Sequence, residues 1–467
     1  MLKLMIASLV LASLPAVVAA APTESTFTAG RLGKITVYAP EGPPTSVVLF
    51  ISGDGGWNLG VVDMARHLQG WGALVAGVDI TAYLQALRVS GDACLYPAAD
   101  FEELSHALQR RAGIRDYRTP IVVGYSSGAT LAYALAAQAP PGTFAGSISV
   151  AFCTDLEVAR PWCKGAGLGA GPTADKKGVL FQPTTNLKTP WVVLHGEVDQ
   201  VCGNSAVEQF AAQIPDASVI LLPKVGHGFS VEANWLPQFR ESFLKLVTAS
   251  ADPPVTAGNV SDLPLVEVPA QAGDSNRLAV LLTGDGGWAG MDRDVADQLS
   301  AAGIPVVALS TLRYFWNERQ PDEVARDLDR IIGHYLAAWR KQQVLLIGYS
   351  FGANVLPLVT SRLSPASRAS LATLNLIAPA RNGSLEIHVA NWIPGSTPEG
   401  TPLKPEFSKL AGVRTLCVYG AEEKESLCPE LSGAGIRTVQ LPGGHHFDAD
   451  LPALVREIIS FPKSGPR

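Results

Sequence analysis

The sequence contains little charge and no run of basic residues. Charged residues make up 17% of its 467 positions, and the formal net charge is −6. A nucleic-acid-binding surface needs a concentrated basic patch, so the sequence gives no support to that class of function. The apolar fraction of 47% instead predicts a folded protein with buried strands, and disagrees with a disordered scaffold.

Long apolar runs are absent after the N-terminus. No later segment reaches the length of about 18 apolar residues expected of a membrane span. At the start, Lys3 precedes a nearly continuous apolar stretch from Leu4 to Val18, and the small residues Ala19–Ala21 follow. This pattern predicts a cleaved signal peptide over residues 1–21 and a mature protein without a transmembrane segment, most simply in a bacterial periplasm. An uncleaved anchor helix is the alternative, and the segment is short for that role.

Cysteine is scarce, and its spacing disfavours a metal site. There is no Cys-x-x-Cys motif and no histidine pair nearby at ligand spacing. Four cysteines lie in the first half and two in the second, so pairing within each half predicts one disulfide in the second half and leaves three pairings open in the first. Disulfides fit an oxidising, exported compartment. The six residues are Cys94, Cys153, Cys163, Cys202, Cys417 and Cys428.

What the sequence does contain is a long internal repeat. The pentapeptide Gly-Asp-Gly-Gly-Trp occurs at 53–57 and 284–288, and Gly-Tyr-Ser-x-Gly follows at 124–128 and 348–352. Each half then reaches a Gly-His pair. The distance between the copies shrinks steadily along the chain, as expected of a duplicated module with small deletions. A repeat this long predicts a doubled domain, because solenoid repeats have much shorter periods.

Each half alternates apolar strand-like segments with helical ones, which predicts a mostly parallel sheet flanked by helices. We therefore expect an α/β fold in tandem duplication, and the chain order serine, acid, histidine in each half, described below, is that of an α/β-hydrolase domain. Small residues, proline and glycine between 249 and 262 are typical of a linker. The predicted limits are 22–250 for the first domain, 251–262 for the linker and 263–467 for the second domain. Two loop-rich inserts, 165–177 and 391–405, either cover the active sites or are surface loops.

The second half carries the parts of a serine hydrolase in order. Ser350 lies where an apolar strand must turn sharply into a helix, which is the position of an activated nucleophile. A serine needs a base and an acid that orients it. We predict His445 as the base. Glu425 is the predicted acid because it aligns with Asp199 when the following cysteines are matched, and Glu423 is the alternative because it keeps the spacing from the preceding glycine.

The charge that develops on the carbonyl oxygen must meet fixed N–H donors. We predict the backbone N–H of Phe351 as one donor and that of Gly286, in the glycine-rich turn, as the other. Asp285 in the same turn either faces a cation or caps the next turn.

The first half contains an equivalent set. Ser126, Asp199 and His227 are the predicted triad, and the N–H groups of Ser127 and Gly55 are the predicted oxyanion donors. The alternative is that this copy is a docking or regulatory domain in which the motif persists.

Together these motifs resemble the bacterial VirJ/AcvB family of exported proteins. The resemblance is firmest in the second half, in Gly284–Trp288, Trp316 to Trp339, Gly348–Gly352, Ser426–Pro429 and Gly444–Asp448. It implies a periplasmic α/β-hydrolase that removes the amino acid, lysyl or alanyl, from aminoacyl-phosphatidylglycerol at the membrane surface. It also implies that the serine of the later module, Ser350, is the working nucleophile.

Four residues fit such a substrate. Asp285 or Glu318 is expected to meet the cationic amine, Arg313 and Arg319 to meet phosphate, and the aromatic residues between them to rest against lipid. The alternative is a partly exposed loop without a role. No metal or organic cofactor is expected. A generic exported esterase, peptidase or acyltransferase and a non-catalytic periplasmic adaptor are the competing functions, because a fold does not determine a substrate. The sequence leaves the oligomeric state open.

Overall fold

The computed structural model describes residues 23–249, 260–271, 273, 275–288, 290–387, 400–431, 433, 435–447 and 451–461. The predicted signal peptide lies outside the described residues, and so do most of the predicted linker and of the insert 391–405. The signal peptide and the domain limits therefore stay predictions. Within the described residues, no helix is both long and apolar enough to cross a membrane.

The first half forms an eight-stranded sheet. Its strand order is β1-β2-β4-β3-β5-β6-β10-β11, parallel except at the edge where β1 pairs with β2 and β2 with β4. Strands β7, β9 and β8 form a separate small sheet, to which the insert 165–177 contributes β8. The strands are β1 Thr23–Ala29, β2 Gly33–Ala39, β3 Ser46–Ile51, β4 Ala73–Val78, β5 Ile121–Tyr125, β6 Gly146–Val150, β7 Asp155–Leu156, β8 Gly169–Pro172, β9 Val179–Gln182, β10 Trp191–Gly196 and β11 Ser218–Leu222. The helices are α1 Gly60–Gly70, α2 Ile80–Arg88, α3 Pro97–Arg111, α4 Ser127–Gln138, α5 Asn204–Ala211 and α6 Leu236–Ala249.

The second half repeats this layout with a seven-stranded sheet in the order β12-β14-β13-β15-β16-β19-β20. Only the edge pair β12 and β14 is antiparallel within it, and β17 pairs with β18 outside it. The strands are β12 Leu265–Val268, β13 Arg277–Leu282, β14 Val306–Leu309, β15 Gln343–Tyr349, β16 Leu371–Ile377, β17 Asn382–Gly383, β18 Thr401–Pro402, β19 Thr415–Gly420 and β20 Ile436–Leu441. The helices are α7 Gly290–Ala301, α8 Thr311–Tyr314, α9 Pro321–Ala338, α10 Phe351–Val359, α11 Pro365–Ser370 and α12 Leu451–Ser460.

The central strands are apolar on both faces because helices cover both sides of each sheet. Every residue of β3 and of β4 is buried, as expected of a parallel sheet between two helical layers. Each sheet thus separates two apolar clusters, one on each face. The predicted fold class, a duplicated α/β-hydrolase domain, is confirmed.

Some elements escaped prediction, and for one of them the sequence signal is present. Helix α2 follows directly after β4, and its N-cap is Asp79, whose side chain accepts the N–H groups of Thr81 at 2.9 Å and Ala82 at 3.4 Å. An aspartate before an apolar run is a helix-start signal. The edge strands β1 and β12 are partly exposed and lack the solid apolar run that marked the central strands.

All six cysteines are paired. The second-half disulfide is Cys417–Cys428, as predicted. In the first half the structure selects one of the three open pairings, Cys94–Cys163 with Cys153–Cys202.

The two halves contact each other through α3 and the segment that follows it. Trp316 Nε1 donates to the carbonyl oxygen of Ile114 at 3.1 Å, and its ring packs against Tyr117 with centroids 4.9 Å apart. Arg110 donates to Glu386 at 3.2 Å and lies over the Trp316 ring. Trp316 is therefore buried against the first half, and Tyr314 and Phe315 are buried as well, so the expectation that these aromatic residues rest against lipid is wrong.

Candidate active sites

Each candidate nucleophile lies in a sharp turn between a strand and a helix. Ser126 connects β5 to α4, and Ser350 connects β15 to α10. Their φ angles are +55° and +50°, in a region of backbone conformation that residues other than glycine rarely adopt. This strained backbone lifts the hydroxyl away from the sheet, as in the nucleophile elbow of α/β-hydrolases.

Glycine is required beside each serine because the helix approaches a neighbouring strand closely. A Cβ added to Gly128 would lie 2.3 Å from the carbonyl oxygen of Ser52. A Cβ added to Gly352 would lie 2.2 Å from the carbonyl oxygen of Leu282. The glycine two residues after the serine in each motif is therefore required by packing.

In the second half, three side chains form a hydrogen-bonded line. Ser350 Oγ lies 2.9 Å from His445 Nε2, and His445 Nδ1 lies 2.5 Å from Glu423 Oε1. Glu423 Oε2 also accepts the backbone N–H of Gly420 at 2.7 Å, which orients the carboxylate. The side chain of His445 is 42% exposed and that of Glu423 is 13% exposed, so the imidazole is open to solvent while the carboxylate is covered.

The predicted acid of this triad, Glu425, is corrected by the structure. Its side chain is 76% exposed and pairs with Arg381 instead of His445. The loop after β19 is two residues longer than its counterpart in the first half, counted from strand end to cysteine. Aligning the two halves on their cysteines therefore matches Asp199 with Glu425. Aligning them on the preceding glycine matches Asp199 with Glu423, the alternative prediction.

The first half presents the same arrangement. Ser126 Oγ lies 2.9 Å from His227 Nε2, and His227 Nδ1 lies 2.8 Å from Asp199 Oδ2. The hydroxyl of Tyr125 donates to the carbonyl oxygen of His227 at 2.7 Å and steadies the histidine loop. The structure thus brings together all three residues predicted for this site.

Asp199 is held in its ionised form. Burial opposes ionisation, but the N–H groups of Cys202 and Val201, at 3.0 and 2.8 Å, together with His227, outweigh it. The pKa of Asp199 consequently lies below its usual value. An ionised acid is what stabilises the imidazolium that forms during catalysis.

The glycine-rich turn of each half packs on the tyrosine that precedes its serine. The N–H of Gly56 donates to the carbonyl oxygen of Gly53 at 2.9 Å, and Gly287 donates to Gly284 at 3.0 Å. A Cβ on Gly53 would lie 3.0 Å from Ser126 Cβ, so this turn borders the nucleophile directly.

The predicted oxyanion donors lie at the start of the helix after each serine and in the glycine-rich turn of each half. Ser127 and Phe351 are the first residues of α4 and α10, whose N–H groups have no partner inside the helix. A Cβ on Gly55 or Gly286 would meet nothing within 4 Å, so space adjoins both residues. The N–H of Gly286 donates to Asp285 Oδ1 at 3.1 Å. Its use as an oxyanion donor requires that Asp285 turn away, and the role stays a prediction.

The two halves differ next to the nucleophile. In the first half, the hydroxyl of Ser127 donates to Asp54 Oδ1 at 2.7 Å. The corresponding residue in the second half is Phe351, which has no hydroxyl to donate to Asp285. Asp54 is exposed, whereas Asp285 is half-buried. The acidic residue of the turn is therefore engaged differently in the two sites.

The other predicted substrate residues have mixed surroundings. Arg319 is occupied within its own segment, since it pairs with Glu323, donates to the carbonyl oxygen of Tyr314 and lies over the Tyr314 ring. These contacts argue against Arg319 as a phosphate ligand. Glu318 is exposed and Arg313 is half-buried in α8.

Two residues near the sites were missed. His195 is fully buried, lies 2.8 Å from the carbonyl oxygen of Cys202, and has its Nε2 3.8 Å from Asp199 Oδ2. Glu102, on α3 of the first half, is electrostatically coupled to Asp285 of the second half. His195 could have been found from its position at the end of a strand before the acid, whereas nothing in the sequence links Glu102 to Asp285. Across the described ranges, no group of three or more His, Cys, Asp or Glu residues is arranged to hold a metal ion.

Comparison with solved structures gives weak similarity to single domains. Est1E from Butyrivibrio proteoclasticus is 13% identical, with 46% of this chain and 95% of that chain covered and a TM-score of 0.30. A dienelactone hydrolase from Anabaena variabilis is 17% identical, with 49% and 98% covered and a TM-score of 0.35. XC6422 from Xanthomonas campestris, described as an α/β serine hydrolase without lid, is 19% identical, with 50% and 97% covered and a TM-score of 0.31. All three identities and TM-scores are too low for us to draw anything from them about this chain.

A search of curated proteins found no match. The family model described as bacterial virulence protein (VirJ) matches residues 45–148 and 276–464. These segments include Ser126, Ser350 and His445, and together they span more than half of the chain. The chain therefore belongs to the VirJ family of bacterial virulence proteins.

Proposed function

We propose that this protein is a serine hydrolase of the esterase type that cleaves the aminoacyl ester of aminoacyl-phosphatidylglycerol, with Ser350, His445 and Glu423 as its triad. The observation that carries the hydrolase proposal is the line of hydrogen bonds from Ser350 through His445 to Glu423. The VirJ family resemblance supports the choice of substrate.

The geometry accounts for each step of ester cleavage. Ser350 Oγ attacks the acyl carbonyl while His445 Nε2 accepts its proton, and the Glu423 carboxylate stabilises the resulting imidazolium. The N–H of Phe351 meets the developing oxyanion. His445 then returns the proton to the leaving glycerol oxygen of phosphatidylglycerol. A water molecule, deprotonated by His445, releases the amino acid from Ser350.

The substrate has a cationic amine beside the reacting carbonyl and a phosphate on the leaving group. Asp285 lies in the turn that packs on Tyr349, the residue before Ser350, since a Cβ on Gly284 would lie 3.2 Å from Tyr349 Cδ1, and this position suits Asp285 to meet the amine. The contacts of Arg319 with Glu323 and Tyr314 argue against it as the phosphate ligand, and Arg313 keeps the role proposed from the sequence.

We extend the proposal to the first half, where Ser126, His227 and Asp199 form a second hydrolytic site. Its hydrogen-bonded geometry supports catalysis and disfavours a purely adaptor role. Three disulfides support an extracytoplasmic location, and a periplasmic one is proposed from the predicted signal peptide.

The test is release of free amino acid from lysyl- and alanyl-phosphatidylglycerol vesicles by the purified mature protein. In a Ser126→Ala background, Ser350→Ala should abolish release, whereas Ser126→Ala by itself should leave the activity of the second site in place. Loss of activity in Ser126→Ala alone would move the reaction to the first half. Hydrolysis of simple esters without hydrolysis of either lipid would favour a generic esterase, and a protein inactive on both would favour the adaptor.

A further inference from the structure

The loop that carries the acid contacts the loop that carries the histidine at the same place in both halves. In the first half, Val198 follows the strand-end glycine by two residues and donates its N–H to the carbonyl oxygen of Val225 at 3.1 Å. In the second half, Glu422 holds the equivalent position and donates its N–H to the carbonyl oxygen of Gly443 at 3.0 Å. Val225 and Gly443 each lie two residues before the catalytic histidine. The side chains of Val198 and Glu422 therefore occupy one equivalent position in the two sites.

Both side chains lie against the glycine that precedes the histidine. A Cβ added to Gly226 would lie 4.0 Å from Val198 Cγ2, and a Cβ added to Gly444 would lie 3.7 Å from Glu422 Oε2. The space beside the base thus holds a methyl group in the first site and a carboxylate oxygen in the second. A charge at this position acts on a bound substrate even without touching it, because the Debye length is about 10 Å at 0.1 M salt.

The charge of Glu422 is not compensated by a neighbour. Its side chain is exposed, and among the described residues its carboxylate has neither a hydrogen bond nor an ion pair, Lys424 included. The other two glutamates of this loop are engaged, since Glu423 contacts the catalytic histidine and Glu425 pairs with Arg381. Glu422 therefore supplies a free negative charge beside the base of the second site.

The first site is bordered by further exposed apolar side chains. Val201, two residues after the acid, is 69% exposed. Val231 is 57% exposed, and with Gly226 and Gly228, the neighbours of the catalytic histidine, it lines a cavity of about 120 Å³. A group of exposed apolar side chains beside a catalytic site indicates an apolar ligand. In the described part of the chain, the exposed large apolar side chains all belong to the first half: Leu59, Val89, Leu180, Val198, Val201, Val231 and Leu244.

Two carboxylates near the first site leave this difference in place. Asp54 has its counterpart in Asp285, so the glycine-rich turn is acidic in both halves. Glu197 precedes Val198, but among the described residues only Val198 atoms would lie within 4 Å of a Cβ on Gly226. Val198 is thus the residue of this loop that faces the glycine before the histidine.

We propose that this position selects the acyl group by its charge: Val198 makes the first site an esterase for uncharged, apolar acyl groups, and Glu422 makes the second site accept acyl groups that carry an ammonium. The first part goes beyond the proposed function, and the second part rests on it and deepens it. In the first site, Ser126 Oγ bonds to the acyl carbon, and the alcohol leaves with the proton held by His227. Water then gives its hydroxyl group to the acyl carbon and its proton, through His227, to Ser126, which releases the carboxylic acid.

Two methyl esters with the same six-carbon acyl chain separate the sites. Lysine methyl ester carries ammonium groups, and methyl hexanoate carries none. The full mature chain is used with Ser350→Ala to isolate the first site and with Ser126→Ala to isolate the second, and methanol release gives kcat/KM for each ester. The first site should prefer the hexanoate and the second the lysine ester. Val198→Glu should raise the ratio of lysine ester to hexanoate kcat/KM at least threefold, and Glu422→Val should lower it at least threefold.

Matched controls change the charge of the same loops at other positions. Glu197→Gln and Glu425→Gln each remove an exposed carboxylate and should leave the ratio at the value of the parent. Raising the salt concentration to about 0.5 M should weaken the effects of Val198→Glu and Glu422→Val, because salt screens a charge. A change in the shape of the site would not respond to salt in this way.

Equal ratios for the two sites, or no shift from either exchange, would overturn the proposal. A first site that cleaves methyl hexanoate in a Val198-dependent way, beside a second site that cleaves no aminoacyl lipid, would support the inference for the first site and refute the proposed function. Hydrolysis of aminoacyl lipid with ester ratios that do not respond to Val198→Glu or Glu422→Val would do the reverse.

Discussion

Glu423 occupies in the second half the position that Asp199 occupies in the first. Each is three residues beyond the glycine that ends the preceding strand, and each donates its N–H to that glycine's carbonyl oxygen, at 3.0 Å for Glu423 and 3.1 Å for Asp199. The turn at the strand end therefore determines which acid reaches the histidine. The spacing to the disulfide cysteine further along the chain does not determine it.

This relationship predicts a large difference between two neighbouring glutamates. Glu423→Gln should lower kcat of the second site by roughly 10³–10⁴-fold, because the imidazolium loses its ionised partner. Glu425→Gln should leave kcat near that of the parent, since it removes only an exposed ion pair with Arg381. Both are measured by amino acid release in a Ser126→Ala background. A strong effect of Glu425→Gln with none from Glu423→Gln would restore the original assignment.

The elbow glycine predicts a stability effect. Gly352→Ala should lower the free energy of unfolding by about 3 kcal/mol or more, because the added methyl group meets the carbonyl oxygen of Leu282 at 2.2 Å. Gly286→Ala is the control, since a Cβ there meets nothing within 4 Å. Urea unfolding followed by circular dichroism measures the stability of both variants. Similar unfolding midpoints would show that the backbone at Gly352 moves away from Leu282 to accommodate the methyl group.

The raised pKa of Glu102 predicts a pH dependence of stability. Below its usual pKa of 4.5 the carboxyl is protonated in both folded and unfolded chains, so it carries no penalty. As pH rises towards about 8, the unfolded chain ionises while the folded one keeps its proton, and stability falls. Asp285, Tyr96 and Tyr117 are the groups coupled to Glu102.

Glu102→Gln should therefore be more stable than the parent at pH 8 and equal to it near pH 4. Urea unfolding across this range, with Glu103→Gln beside it, measures the difference. A constant difference between Glu102→Gln and the parent at all pH values would contradict the assigned titration.

The disulfides predict unequal losses of stability. Cys94–Cys163 joins residues 69 apart, and Cys417–Cys428 joins residues 11 apart. Because a longer loop restricts the unfolded chain more, replacing the first pair by alanines should cost about 4 kcal/mol and replacing the second about 3 kcal/mol. Denaturant unfolding of each double variant measures these values, and the opposite order would point to strain or to residual structure in the unfolded chain.

The sequence by itself determined the features that depend on local backbone chemistry. Apolar runs marked the buried strands, and the glycines around Ser126 and Ser350 marked the elbows, because only glycine fits where a helix crosses so close to a strand. Only the tertiary structure decided the features that depend on contact between distant segments. These are the choice of Glu423 over Glu425 and the pairing of Cys94 with Cys163. Such contacts depend on how loops and domains pack, and periodicity along one segment carries no record of that packing.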